Sequence, residues 1–159
     1  MKLPSHFNSV KGFIDHNEGI CLYNHALKSS KKGPILEIGS YCGKSTIYLA
    51  TAAKEYNGCV YSVDHHTGSE ENQVGWEYHD IELFDEETGR INSFPEFMRN
   101  LRKANLLDTV VPIVSDSSLV SRYWKIPLSM VFIDGGHTME AALNDFNNWK
   151  YKIIKGGIL

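Results

Sequence analysis

The chain has 159 residues, 42% hydrophobic and 22% charged, and a formal net charge of −3. That size fits one domain with its own core, and a mildly acidic chain without a basic stripe argues against a nucleic-acid partner. Its three cysteines, Cys21, Cys42 and Cys59, have no CxxC spacing. With no signal-peptide-like run and no stretch near the ~20 apolar residues of a membrane span, a cytoplasmic protein without a membrane partner is expected.

Residues 12–28 read as a helix, with Phe13, Ile20, Tyr23 and Leu27 near helical spacing, ended by Lys31-Lys32-Gly33-Pro34. Ile35 to Ile38 is a short apolar run, read as a buried strand, and Ser45 to Lys54 an alanine-rich helix. Asn57-Gly58 marks a turn before a second strand, Cys59 to Val63, closed by Asp64. Residues 65–92 are polar and without period, which predicts a long lid or active-site loop. Ser93 to Asn105 is a helix with an apolar stripe at Phe94, Phe97, Met98, Leu101 and Ala104, and Ser93 and Glu96 are spaced for a capping box. Val110 to Val114 is the third strand, Ser117 to Trp124 a short helix, and Met130 to Ile133 the fourth strand, ending in Asp134. Thr138 to Trp149 is a helix whose apolar face is expected at Met139, Ala142, Leu143, Phe146 and Trp149, extended by Ile153 and Ile154. Gly156-Gly157 would break it, and Ile158-Leu159 would begin a fifth strand. A strand with no room to finish predicts a C-terminally incomplete domain, and its open sheet edge would invite a homo-oligomer.

Alternating apolar strands and amphipathic helices predict an α/β fold: a Rossmann-like, doubly wound, mainly parallel sheet with helices on both faces. Ligands in such sheets bind beyond the carboxyl ends of the strands. Those ends are Glu37–Gly39, Asp64, Ser115–Asp116 and Asp134, all polar or glycine.

The first strand-to-helix turn holds Gly39, Ser40, Tyr41, Cys42 and Gly43, followed by Lys44 and Ser45. Tyr41 occupies the second glycine position of the dinucleotide fingerprint G-x-G-x-x-G, and a phosphate loop ending at Gly43-Lys44-Ser45 would need glycine where Ile38 stands. S-adenosylmethionine carries no phosphate and has a positive sulfonium and ammonium, so the acid Glu37 beside this turn suits it. Asp64 can accept hydrogen bonds from both ribose hydroxyls, with His65 beside it, and Asp116 and Ser117 are placed to touch the adenine.

The run Leu36-Glu37-Ile38-Gly39-Ser40-Tyr41-Cys42-Gly43-Lys44-Ser45 resembles the first motif of the class I S-adenosylmethionine-dependent methyltransferases, nearest the catechol and macrocin O-methyltransferase-like groups. Residues 63–73, from Val63-Asp64-His65-His66 onward, and Phe132-Ile133-Asp134-Gly135-Gly136-His137 resemble a bacterial methyltransferase-domain branch. The resemblance implies a seven-stranded sheet, cofactor contacts at Glu37, Gly39, Asp64 and Asp116, and a divalent metal near Asp134. It also implies a continuation past Gly156-Gly157 into a strand ending in a His-Asp pair, which this sequence stops short of.

Methyl transfer to a hydroxyl needs a positioned acceptor and a proton acceptor. Asp134 is the candidate ligand for a hard cation such as Mg2+, and His137 the candidate general base or a second ligand. Were the 65–92 loop to fold over the strand ends, His65, His66, His79 and Asp80 could join them and favour a transition metal, while Trp76 and Tyr78 could line an acceptor pocket. The same histidines scattered over a polar lid are the alternative. The expected activity is O-methylation of a small-molecule hydroxyl. The competing expectations are a metal-dependent hydroxylase or hydrolase on this scaffold and a non-catalytic cofactor-binding remnant.

Overall fold

In a computed structural model of the chain, residues 3–68, 80–136 and 138–159 are described. Five strands form one all-parallel sheet: β1 (Ile35–Ile38), β2 (Val60–Asp64), β5 (Val110–Val114), β6 (Leu128–Ile133) and β7 (Ile153–Ile158), in the order β5-β2-β1-β6-β7. Central β1 is buried along its whole length, and its Ile35 lies opposite Val60 on one side and Met130 on the other. The period-two alternation of a strand divides the core in two. Ile35, Val60 and Met130 face α1 (His16–Ser29), α2 (Lys44–Lys54) and α3 (Phe94–Lys103). Leu36, Val63 and Val131 face the opposite layer, α4 (Ser117–Tyr123) and α5 (Met139–Trp149), through Val120, Trp124 and Trp149. Helices thus cover both faces, as a parallel sheet requires.

Several expectations change. The first helix starts at His16, where Asp15 and Glu18 form a reciprocal capping box; Phe13 stays outside it. Ser93 does not cap α3, because its hydroxyl pairs with the His66 ring instead. Within the polar loop, a helical turn at Ile81–Leu83 leads into a small antiparallel hairpin, β3 (Phe84–Asp85) and β4 (Arg90–Ile91). On α5 the buried face is Asp145 and Trp149, while Met139, Leu143 and Phe146 of the expected apolar stripe are exposed.

The last strand begins at Ile153, five residues earlier than the sequence suggested. Gly156-Gly157 sits within it as a bulge between the Leu128–Ile153 and Met130–Ile158 pairs. Gly156 has φ +75°, and a β-carbon at Gly157 would lie 2.8 Å from the Ser129 carbonyl oxygen. The glycines therefore permit close strand contact where they were expected to break a helix. Of the seven strands the resemblance implies, five are present among the described residues.

Candidate functional site

A cavity of about 680 Å³ opens beyond the carboxyl ends of β1, β2, β5 and β6. Its volume falls within the usual range for small-molecule sites. At its floor the chain leaves β1 through Gly39, whose φ is +82°. A β-carbon there would sit 2.4 Å from the Asp134 carbonyl oxygen, so this turn can lie against the end of β6 only as glycine. Tyr41 follows with φ +47°, an uncommon backbone state for a residue with a large side chain.

Asp64 holds this turn in place. Its Oδ2 accepts the backbone N–H groups of Ser40 and Tyr41, each at 2.8 Å, and its Oδ1 accepts that of His66 at 2.7 Å. Burial alone would raise the Asp64 pKa; the neighbouring His66 and the three amides outweigh it and keep the carboxyl below its ordinary value. Asp64 is therefore an anion at the cavity wall whose oxygens are oriented before any ligand arrives. A carboxylate offers about four lone-pair sites; the amides take three, and the fourth contact is the Ser40 hydroxyl at a long 3.4 Å, which a ligand hydroxyl can replace.

Glu37 behaves differently. It is fully buried, on the α2 side of β1, and accepts hydrogen bonds from Ser45 Oγ (2.6 Å), Thr46 Oγ1 (2.5 Å) and Ser62 Oγ (3.0 Å). Burial raises its pKa from 4.5 to about 7 in spite of those three bonds. It stands behind the cavity wall, as does Gly43, which packs toward Phe97. The expected direct contact of Glu37 with a cationic ligand becomes a support under the turn, made through Ser45, which does line the cavity.

The far wall carries Ser115, Asp116, Ser117 and Ser118. Asp116 caps α4, accepting the Leu119 N–H and the Ser118 hydroxyl. Ser117 Oγ donates to Asp145 Oδ1 at 2.6 Å and accepts the Trp149 indole N–H at 2.8 Å. Asp145, only 7% exposed, has its pKa raised by burial, against the opposing Ser117 bond. Asp134, exposed at the end of β6, and Gly135, Gly136 and Thr138 complete this side.

Gly12, Phe13 and Ile14, from the segment before α1, also line the cavity. Phe13 stacks on Tyr41 with ring centres 5.9 Å apart. The Tyr41 hydroxyl donates to Asp80, which also pairs with Lys11 at 2.7 Å, and Lys11 reaches Glu82 at 2.6 Å. Two segments distant in sequence are thereby clamped onto the turn.

Of the expected cofactor residues, Gly39, Ser40, Tyr41, Ser45, Asp64, His65, Asp116 and Ser117 line one cavity, together with Asp134. The expected histidine cluster is not brought together among the described residues. His65 is exposed, its Nδ1 bonded to Thr67. His66, expected as a metal ligand, is 2% exposed, with Nδ1 against Ser93 Oγ at 2.8 Å and its ring between Phe94 and Phe97. Burial lowers its pKa, with Asp64 opposing. Trp76, Tyr78, His79 and His137 lie outside the described residues. No group of three His, Cys, Asp or Glu side chains suited to a metal ion occurs among the described residues. Sequence reasoning missed Phe13, Ile14 and Asp145. The signal for Asp145 was an acid four residues before Trp149, on the face that α5 buries.

Residues 36–159 match the family model described as a methyltransferase domain. The chain belongs to this family. Similar solved structures include cofactor-bound Rv0187 from MTB, at 20% identity and TM-score 0.67, covering 99% of this chain and 57% of that one. Another is the S-adenosylhomocysteine-bound methyltransferase PaMTH1 of Podospora anserina, at 13% identity and TM-score 0.66, covering 92% and 52%. A third is the O-methyltransferase TomG of Streptomyces achromogenes in complex with S-adenosylmethionine, at 18% identity and TM-score 0.61, covering 90% and 53%. At these identities the likeness is one of fold, that of the class I methyltransferases. The chain spans a little over half the length of each.

Asp64, Asp116, Asp134 and Asp145 put four carboxyl groups on the cavity wall, whereas its lysine, Lys44, directs its ammonium to the Gly12 carbonyl at 3.2 Å. Such a wall repels phosphates and attracts cations.

Proposed function

We propose that this methyltransferase-domain chain binds S-adenosylmethionine at the strand ends and uses it to methylate a hydroxyl of a small molecule. The observation that carries the reading is Asp64. It is an anion held in a fixed orientation by the backbone of the Gly39–Gly43 turn, at the end of the strand next to β1, in an acid-lined cavity. The acceptor site that only the Ser40 hydroxyl contacts, at 3.4 Å, suits a ribose hydroxyl, while the turn would face the amino-acid portion and Ser117 the base.

When bound, the cofactor supplies an electrophilic methyl group on a sulfonium. The protein's part is positioning and proton management. Phe13, stacked on Tyr41, and Ile14 cover the mouth and keep water from the reacting centre. The Lys11–Asp80–Tyr41 clamp holds this cover against the turn. The Asp134 carboxylate would take the acceptor's proton, and His137, beyond the described residues, is proposed as its partner in that role. Among the described residues no helix is long and apolar enough to cross a membrane.

Calorimetric titration with S-adenosylmethionine, S-adenosylhomocysteine and NAD tests this reading. Binding of the first two and not the third is expected. Binding of NAD in preference would assign the cavity to dinucleotides, and binding of none would favour a remnant without cofactor.

A further inference from the structure

The mechanism leaves the buried His66 unused. Its ring is absent from the cavity wall and packs between Phe94 and Phe97. Nδ1 lies 2.8 Å from Ser93 Oγ. Nε2 is sealed from solvent and has no partner at normal hydrogen-bond geometry among the described residues. An unpartnered buried nitrogen is costly, so the surroundings decide which ring nitrogen carries the proton. Burial lowers the pKa of the ring, against the pull of Asp64, and leaves it neutral at neutral pH, with one N–H and one lone pair. The Tyr41 main chain favours a proton on the ring, as a facing carbonyl does. A carbonyl only accepts, whereas the Ser93 hydroxyl can also donate. The proton therefore belongs on Nε2, toward Tyr41, and Nδ1 takes the Ser93 hydrogen.

The Gly39–Gly43 turn is then held from two sides. Asp64 Oδ2 accepts the N–H groups of Ser40 and Tyr41, and Oδ1 accepts that of His66. On the α3 side, the Ser93 N–H donates to the His66 carbonyl at 3.0 Å, and the buried Asn100 Nδ2 donates to the Cys42 carbonyl at 3.0 Å. Successive carbonyls of the turn, Tyr41 and Cys42, are drawn toward α3 while its amides are drawn toward Asp64. Tyr41, with φ +47°, needs such support. We propose that His66 is a positioning residue for the cofactor, joining α3 to both Asp64 and Tyr41 and so setting the turn from outside the cavity wall. This rests on the cofactor reading above. If the turn were correctly set in only about a tenth of the molecules, affinity would fall ~10-fold.

Two substitutions separate this role from packing, since both remove the ring from between Phe94 and Phe97. Glutamine carries its amide nitrogen about where Nε2 lies, whereas asparagine reaches only about as far as Nδ1. Calorimetry with S-adenosylhomocysteine on the folded chains is expected to show His66→Asn ~10-fold weaker than the wild type and His66→Gln within about 3-fold of it. Equal affinities of the two variants overturn the proposal and leave the cofactor reading intact, because a packing role is lost alike in both. The wild-type chain gives an independent readout. Nitrogen-15 NMR of its imidazoles at pH 7.5 is expected to show His66 as the neutral Nε2–H tautomer, with signals that move on addition of S-adenosylhomocysteine although the ring lies off the cavity wall. The Nδ1–H tautomer, or His66 signals unmoved by a ligand that binds, overturns the proposal. Failure of the wild type to bind S-adenosylhomocysteine overturns both readings.

Discussion

Replacing Glu37 by glutamine isolates the titration of a carboxyl that reaches no solvent. In the folded chain the pKa is raised from 4.5 to about 7, because burial outweighs the hydroxyl donors Ser45, Thr46 and Ser62. In the unfolded chain the group returns to its ordinary value. Between those two pH values the native state keeps a proton that the unfolded state has released. Stability therefore falls as pH rises: the contribution is fully present below about pH 4.5 and is lost as pH passes through 7. At ~1.4 kcal/mol per pH unit, the difference amounts to ~3 kcal/mol. Glutamine keeps the shape, can accept from one hydroxyl and donate to another, and does not titrate. Urea unfolding of both proteins between pH 4.5 and 8 gives the measurement, with other titrating groups, Asp64 among them, cancelling in the difference. Wild type is expected to lose ~3 kcal/mol relative to Glu37→Gln across that interval. Parallel stability curves would refute the reasoning and mean that the three hydroxyl bonds keep Glu37 ionised.

Two further outcomes follow from the same geometry. Gly39→Ala combines a φ of +82° with a β-carbon 2.4 Å from a backbone oxygen, so a loss of at least ~2 kcal/mol by denaturant melting is expected; stability like that of the wild type would contradict the close turn. Burial pushes the Cys42 thiol up to about 12, while Cys21 is exposed. Iodoacetamide at pH 8 should therefore modify Cys21 and spare Cys42 in the native chain, and equal labelling by peptide mass mapping would place Cys42 at the surface.

The features legible in the sequence were those written as patterns. Strands β1, β2, β5 and β6 are short apolar runs closed by polar residues, and their ends mark Gly39, Asp64, Asp116 and Asp134 in the sequence itself. What escaped depends on tertiary partners. β7 was hidden because Gly156-Gly157 reads locally as a breaker, whereas the approach of Ser129 makes it a bulge. Ser93 and Glu96 have capping-box spacing, but the competing His66 ring takes the Ser93 hydroxyl. His66 itself looked like a ligand from its neighbours in sequence, and only the aromatic pair Phe94 and Phe97 turns it into the core. Glu37 looked like a binding acid because it borders the turn; strand alternation directs it at α2.

The central claim, that Asp64 makes this cavity a site for S-adenosylmethionine, is tested most directly by the affinity of S-adenosylhomocysteine for the wild-type chain and for Asp64→Ala. Removal of the carboxylate takes away the ribose acceptor and releases the Ser40 and Tyr41 amides, so a ~10- to 100-fold loss of affinity is predicted, given hydrogen bonds to a charged group. Equal affinity in a folded Asp64→Ala chain, or no binding by the wild type, would contradict the account.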